Sequence, residues 1–360
     1  MERVYNFSSG PATLALPVLE RAQKELLCYG STGASVMEMS HRSKMYLEIF
    51  DEALALLRKL MDIPEDYAVL FPQGGATQQF SAVPLNLMTG SGSADYVDSG
   101  NFAFLASEEA KRYGTVNVVA SSREDKYAYV PALNKATFDP KADYFHIVAN
   151  NTIYGTRYTE MPDTGAVPLV ADMSSCILSE PYDVRKFGVI YAGAQKNIGP
   201  SGLCVMIVRK DLLGKANPLC PKLLNWKVLA DNDSMHNTPN TFAIYMAKLG
   251  FDWLLEQGGV AAMERINIEK ANILYDFLDQ SKLFKGAAQK AFRSRMNVTF
   301  ATGDAAKDDA FVKQAAKAGL INLKGHRVVG GMRASIYNAM PVEGVRALVD
   351  VMKRFELENS

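Results

Sequence analysis

The sequence predicts an α/β protein: a large domain with a mostly parallel sheet covered by helices, followed by a smaller α+β C-terminal domain. Three observations carry this. From about residue 67 to 208, short apolar runs alternate with longer amphipathic ones, the pattern of strands joined by helical crossovers. After residue 240 the chain turns to long helical periods, and a shorter mixture of strand and helix patterns closes it. At 360 residues the chain is also long enough to bury two cores.

Residues 67–71 read as the first strand, followed by the turn Pro72-Gln73-Gly74-Gly75 and a helix over 76–88, bent or broken near Pro84. A strand at 94–98 and a helix over 102–113 come next, then strands at 116–120, 144–149, 169–172, 189–191 and 203–208. Helices follow over 241–256 and 260–279, the second with a core-facing stripe of Met263, Ile266, Ile273, Leu274, Phe277 and Leu278. A strand at 296–300, a helix over 310–318, a strand at 334–337 and a helix over 342–355 complete the pattern. Gly258-Gly259 interrupts the helices, so the large domain is assigned to 15–258 and the small one to 1–14 with 259–360.

Lysine plus arginine equal aspartate plus glutamate at 39 each, and this balance argues against a nucleic-acid or anionic-membrane surface. Cys28, Cys176, Cys204 and Cys220 have neither Cys-x-x-Cys spacing nor the density of a disulfide framework, which favours a reducing compartment. Glu2 and Arg3 precede no long apolar run, so no secretory signal is expected. No segment approaches the roughly 18 apolar residues of a membrane span. A soluble, cytoplasmic protein is the expectation.

Ligands of such sheets bind beyond the carboxyl ends of the strands. The Gly74-Gly75 turn, Asp172 and Lys196 all fall at such ends. Lys196 follows an apolar run and sits among small residues in Tyr191-Ala192-Gly193-Ala194-Gln195-Lys196-Asn197, and Asp172 ends the preceding predicted strand. Pyridoxal phosphate needs such a pair, a lysine to hold its aldehyde and a carboxylate to keep its ring nitrogen protonated. The spacing alone fits equally a buried strand that ends in a solvated Lys-Asn turn. Gln73-Gly74-Gly75-Ala76-Thr77 could anchor a phosphate at a helix N-terminus, although most Gly-Gly turns only reverse the chain. It is neither a Walker loop nor a dinucleotide fingerprint. Lys324, His326, Arg327 and Arg333 crowd a glycine-rich tract, which reads as a solvated basic loop or, together with His41-Arg42, as a pocket for a substrate carrying carboxylate and phosphate. The histidines at 41, 146, 236 and 326 lack paired ligand spacing, so no metal site is expected, and His146 and His236 read as structural.

Several motifs together resemble the phosphoserine aminotransferase family of the class V aminotransferases, nearly end to end. They are Asn6-Phe7-Ser8-Ser9-Gly10-Pro11-Ala12, Met39-Ser40-His41-Arg42, Ala94-Asp95-Tyr96-Val97-Asp98, Ala192-Gly193-Ala194-Gln195-Lys196-Asn197, Asn237-Thr238-Pro239, Lys324-Gly325-His326-Arg327 and Gly330-Gly331-Met332-Arg333-Ala334-Ser335. The resemblance implies the fold-type I architecture of pyridoxal-phosphate enzymes. It implies that Lys196 carries the cofactor and Asp172 pairs with its ring nitrogen. Ala76 and Thr77 would offer amides to the cofactor phosphate, joined by Gln195, while Thr152 would bond near the 3′-oxygen and Phe102 would stack on the ring. Asn237 and Thr238 would reach that phosphate from the other subunit of a homodimer. Ser9 and Arg42 match glutamate-binding positions, and Arg333 the grip on the α-carboxylate. His326 and Arg327, again across the dimer, would join His41 and Arg42 around the distal phosphate or carboxylate.

Two positions depart from many relatives. Phe102 stands where tryptophan is common, which keeps a stacking face but loses area and the indole N–H. Thr77 stands where some relatives carry arginine. The implied reaction is transamination between 3-phosphohydroxypyruvate with glutamate and 3-phosphoserine with 2-oxoglutarate, in serine biosynthesis. Some relatives also accept the phosphorylated hydroxythreonine of pyridoxine synthesis. The rival within the class is a serine–pyruvate or alanine–glyoxylate aminotransferase, which would not need His326-Arg327. A cysteine desulfurase is disfavoured by Gln195 before the lysine, and a non-catalytic regulator by the lack of a DNA-binding segment.

Overall fold

The computed structural model describes residues 3–359; Met1, Glu2 and Ser360, at the ends of the segments assigned to the small domain, lie outside the described residues. In chain order the N-terminal elements are β1 (Tyr5–Asn6), α1 (Leu16–Glu25), α2 (Lys44–Met61), β2 (Tyr67–Leu70), α3 (Ala76–Leu87), β3 (Ser93–Asp98), α4 (Asn101–Ala110) and β4 (Thr115–Ser121). The middle of the chain forms β5 (Phe145–Val148), β6 (Asn150–Asn151), β7 (Thr156–Arg157), β8 (Leu169–Asp172), β9 (Val189–Gly193), β10 (Cys204–Arg209), α5 (Trp226–Asp231) and α6 (Thr241–Glu256). The rest is α7 (Gly259–Gln280), β11 (Lys285–Gly286), β12 (Asn297–Ala301), α8 (Ala305–Lys317), β13 (Leu320–Ile321), β14 (Met332–Ser335) and α9 (Val342–Asn359).

The central sheet has seven strands in the order β2-β10-β9-β8-β5-β3-β4. As the alternation predicts, it is mostly parallel: β4, β3, β5, β8 and β9 run together. β10 returns antiparallel beside β9 and pairs antiparallel with β2 at the edge. The two faces follow from the strand period of two. Leu169, Ala171, Ile190 and Ala192 face a core shared with α2 and α6, including Leu57, Ile244 and Phe251. Val170, Tyr191 and Met206 face the other core, with Phe80 and Val83 of α3, Ala106 of α4 and Trp226 of α5. Asp172 falls in step with Val170, which puts its carboxyl on the side covered by α3 and α4, at the carboxyl end of the sheet.

The C-terminal part is a three-stranded antiparallel sheet, β11-β12-β14, packed by α8, α9 and the second half of α7. The ring of Phe284 centres this core, with Phe311, Phe300 and Phe355 at 4.9, 5.9 and 6.0 Å. The N-terminus belongs here too, since β1 pairs parallel with β13 and Phe7 is fully buried in this core. α7 contributes Val260 and Met263 to the large core and Leu274 and Leu278 to the small one.

The helix after the Gly-Gly turn is not broken near Pro84: α3 continues to Leu87, and Met88 N still bonds Pro84 O at 2.9 Å. Burial of Ala82, Val83, Leu85 and Leu87 holds that last turn despite the missing proline donor. α8 begins at Ala305 rather than 310, because Asp304 caps it by accepting from Ala306 N and Lys307 N. The strand expected at 334–337 lies at Met332–Ser335, its register set by pairing with β12. α2, unassigned from the sequence, carries a regular stripe of Tyr46, Ile49, Phe50, Ala53, Leu57 and Met61, and Ser43 caps it.

Candidate active site

The return of the chain from β9 to β10 forms a loop closed by Ala194 N to Leu203 O at 2.9 Å and Ile198 N to Ala194 O at 3.1 Å. Lys196 projects from this loop. Its Nζ donates to Thr152 Oγ1 at 2.7 Å and lies 5.3 Å from the centre of the Phe102 ring. Burial depresses the ammonium to about 8; Arg333 pushes it in the same direction and Asp172 opposes. Asp172 ends β8 between Val148 and Tyr191, and its Oδ1 accepts from Ser174 N at 2.8 Å. Burial raises this carboxyl above its ordinary value, while Lys196 and the Ser174 hydrogen bonds restrain the rise.

At the edge of the sheet, β2 passes through Gly74, at φ 103°, into α3. Gly75 caps this helix without a side-chain acceptor, and among the described residues no acceptor is found for the amides of Ala76 and Thr77. A turn with free amides at the positive end of a helix dipole suits an anion. The Gln195 side chain folds back over Gly193, where a Cβ would meet its Oε1 at 2.6 Å. Asn237 and Thr238 are exposed beside the same turn, with Gln73 Nε2 donating to Thr238 O at 2.6 Å.

β14 brings in Arg333. Its Nη2 donates to Ser9 Oγ at 2.6 Å and its Nη1 to Thr152 O at 3.3 Å. Tyr337 OH donates to Ser9 O at 2.8 Å, which holds the N-terminal segment in place. Burial lowers the Arg333 guanidinium below its ordinary value. His326 lies close enough to feel this charge: burial first, then Arg333 and Arg327, lower its imidazole. Arg327 and Arg42 are exposed, and His41 is half-buried, its Nε2 without a hydrogen-bond partner among the described residues. Among the described residues no side-chain hydrogen bond or ion pair joins His41 or Arg42 to the group around Lys196. Lys196, Asp172, Thr152, Phe102, Ser9 and Arg333 thus gather within one chain, His326 lies within electrostatic reach of Arg333, and no such link joins His41 or Arg42 to the group among the described residues.

Further residues frame the site without having been read from the sequence. Asn197 Nδ2 donates to Ile177 O at 2.8 Å and its Oδ1 accepts from Asn338 N at 3.0 Å, which ties the lysine loop to the segment after β14. Asp98 accepts from Ser121 Oγ, Arg123 Nε and Tyr127 OH at 2.9, 3.0 and 3.0 Å. That anchors Tyr127, which packs on Tyr154 at 4.7 Å in a small cluster against which Phe102 rests. Their signal was position: Asp98 is the last residue of β3, and Asn197 lies in the loop after β9. An amine, a buried carboxylate, an aromatic face and unpaired helix amides together fit pyridoxal phosphate. No cluster of His, Cys, Asp or Glu suited to a metal ion is found among the described residues.

The Aminotransferase class-V family pattern matches residues 4–348. A phosphoserine aminotransferase of Bacillus cereus is 55% identical over 359 residues, covering 100% of both chains. The solved phosphoserine aminotransferase of Bacillus circulans subsp. alkalophilus superposes with a TM-score of 0.97 at 44% identity, over 100% of both chains. That of Trichomonas vaginalis, solved with PLP bound, gives a TM-score of 0.92 at 41% identity, over 98% of this chain and 100% of the other.

Proposed function

The chain belongs to the class-V aminotransferases and, within them, to the phosphoserine aminotransferase family, and from that membership we propose that it interconverts 3-phosphoserine plus 2-oxoglutarate with 3-phosphohydroxypyruvate plus glutamate. Full-length identity of 55% favours this over a serine–pyruvate or alanine–glyoxylate specificity. The observation that carries the chemistry is the buried Lys196 amine, held by Thr152 Oγ1 at 2.7 Å and 5.3 Å from the centre of the Phe102 ring, with burial lowering it to about 8.

Pyridoxal phosphate, when bound, supplies a conjugated ring that takes up the negative charge left at the substrate α-carbon. Lys196 would hold it covalently, Asp172 would face its ring nitrogen and Phe102 would cover one ring face. The amides of Ala76 and Thr77 and the Gln195 side chain would receive its phosphate. Lys196 Nζ, when not joined to the cofactor, would accept the substrate α-proton and return it, a role that its lowered pKa favours. Arg333 and Ser9 bind the α-carboxylate. His41, Arg42, His326 and Arg327 bind the side-chain anion, phosphate in one substrate and carboxylate in the other. In this reading the enzyme is a cytoplasmic homodimer, with Asn237, Thr238, His326 and Arg327 each serving the opposite site. No helix among the described residues is long and apolar enough to cross a membrane.

The test is steady-state transamination onto 2-oxoglutarate from phosphoserine, serine and alanine. Phosphoserine should dominate; equal use of alanine would replace this reading by the rival specificity.

A further inference from the structure

The small-domain sheet has an apolar face and a polar one. Val298, Phe300, Met332 and Ala334 enter the small core. Asn297, Thr299, Arg333 and Ser335 line the other face, Asn297 opposite Ser335 and Thr299 opposite Arg333. This polar face is seated on the β6–β7 hairpin of the large domain, the hairpin that carries Thr152. Asn297 Oδ1 accepts from Asn150 Nδ2 at 2.9 Å, and Thr299 Oγ1 donates to Tyr154 O at 3.0 Å. Ser294 Oγ donates to Asn150 Oδ1 at 2.6 Å. The approach leaves no room for a side chain: a Cβ on Gly155 would lie 2.8 Å from both Asn297 O and Thr299 Oγ1.

Asn297 joins both halves of the site. Its Nδ2 donates to Ser335 Oγ at 3.0 Å and to Tyr337 OH at 3.1 Å, and Tyr337 in turn holds Ser9. Asn150, on the other side, also donates to Ser175 Oγ at 2.8 Å, in the segment that follows Asp172. Asn297 is wholly buried, and both of its amide donors and its carbonyl are used. Such a hub requires one planar group that carries two donor hydrogens beside an acceptor oxygen, in a place where water does not compete.

We propose that Asn297 is a positioning residue that sets the Arg333–Ser9 clamp against the Thr152 hairpin, and so fixes where a substrate α-carboxylate sits relative to the Lys196 amine. The proposal rests on reading Arg333 as the carboxylate grip. Without the amide, Tyr337 and Ser9 lose their fixed register, and the substrate must order the clamp as it binds. Because every substrate carries the α-carboxylate, all should be weakened alike.

The test is Asn297→Ala in the full-length enzyme loaded with pyridoxal phosphate, beside Arg333→Ala and the double variant. Asn297→Ala should raise KM for phosphoserine and glutamate by a common factor of about 10- to 100-fold, the scale of a misplaced binding group. Affinity for succinate, an unreactive dicarboxylate followed through the cofactor absorbance, should fall by the same factor while kcat moves little. On the Arg333→Ala background the same substitution should add less than about twofold, since coupled residues are not additive. If Arg333→Ala leaves KM unchanged, the carboxylate reading fails. If Arg333→Ala raises KM while Asn297→Ala does not, or if the two effects multiply in full, Asn297 only packs and the proposal is overturned. Should Asn297→Ala not fold, Asn150→Ala and Tyr337→Phe remove one partner at a time. A common KM increase for both substrates then supports the proposal, and a change confined to kcat overturns it.

Discussion

Thr152 stands between the two charged groups of the site: its Oγ1 accepts from Lys196 Nζ at 2.7 Å, and its backbone carbonyl accepts from Arg333 Nη1 at 3.3 Å. One buried residue of the β6–β7 hairpin therefore spaces an amine on the β9–β10 loop from a guanidinium on the C-terminal three-stranded sheet. The spacing has an electrostatic result. Arg333 is near enough to help depress Lys196, while the Asp172 carboxylate limits the effect.

Lys196→Ala should abolish the cofactor linkage that borohydride reduction fixes to the protein. Turnover should fall by at least about 10²–10⁴-fold, the usual contribution of a positioned proton-transfer group. Mass spectrometry of the reduced protein and a steady-state rate check both points. A variant that keeps linkage and rate would remove Lys196 from its role.

Incorporation of pyridoxal phosphate into cofactor-free protein should accelerate as pH rises through about 8, because the neutral amine is the nucleophile. Arg333→Ala removes a repulsion and should move this inflection upward, whereas Asp172→Asn removes an attraction and should move it downward. The same shift links to stability. Between about 8 and the ordinary 10.5 the unfolded chain holds a proton that the folded one does not, so this group favours folding increasingly as pH rises across that window. Stopped-flow absorbance and urea melts of the cofactor-free protein measure the two effects.

If active sites are shared across a homodimer, Lys196→Ala and Arg327→Ala homodimers should each be nearly inactive. Exchange of subunits should then restore one intact site per heterodimer. Activity after verified exchange is the measurement, and no recovery would mean that each chain builds its own site.

Phosphoserine should exceed serine in kcat/KM by as much as about 10⁴-fold, since a pocket built for an anion is left unpaired by the uncharged analogue. Arg327→Ala should narrow that gap by hurting the phosphorylated substrate, at about 1.5–3 kcal/mol for a lost charge-assisted hydrogen bond. Arg333→Ala should weaken every amino acid tested. Parallel steady-state assays separate the two patterns.

Much of the seven-stranded sheet was legible because strand signals are local. The short apolar runs at 169–172 and 189–191 placed Asp172 and Lys196 at the ends of strands, and the Gly74-Gly75 turn before a helical period put Ala76 and Thr77 at a helix start. Alternation in 297–301 and 332–335 held a further message, since polar Asn297, Thr299, Arg333 and Ser335 alternate with apolar partners, but it could not say what the polar face meets.

Contacts between distant segments were decided by the tertiary structure. β10 runs antiparallel between β9 and β2, so the lysine loop turns back on the sheet instead of leading into a crossover helix. Asn150 meets Asn297, and Ser9 meets Arg333, across separations of 147 and 324 residues. The sequence by itself determined which residues end strands and cap helices, because those preferences act over a few neighbouring residues. Only packing two cores against each other determined which of those ends share a site, because a buried donor must find its acceptor wherever the fold brings one.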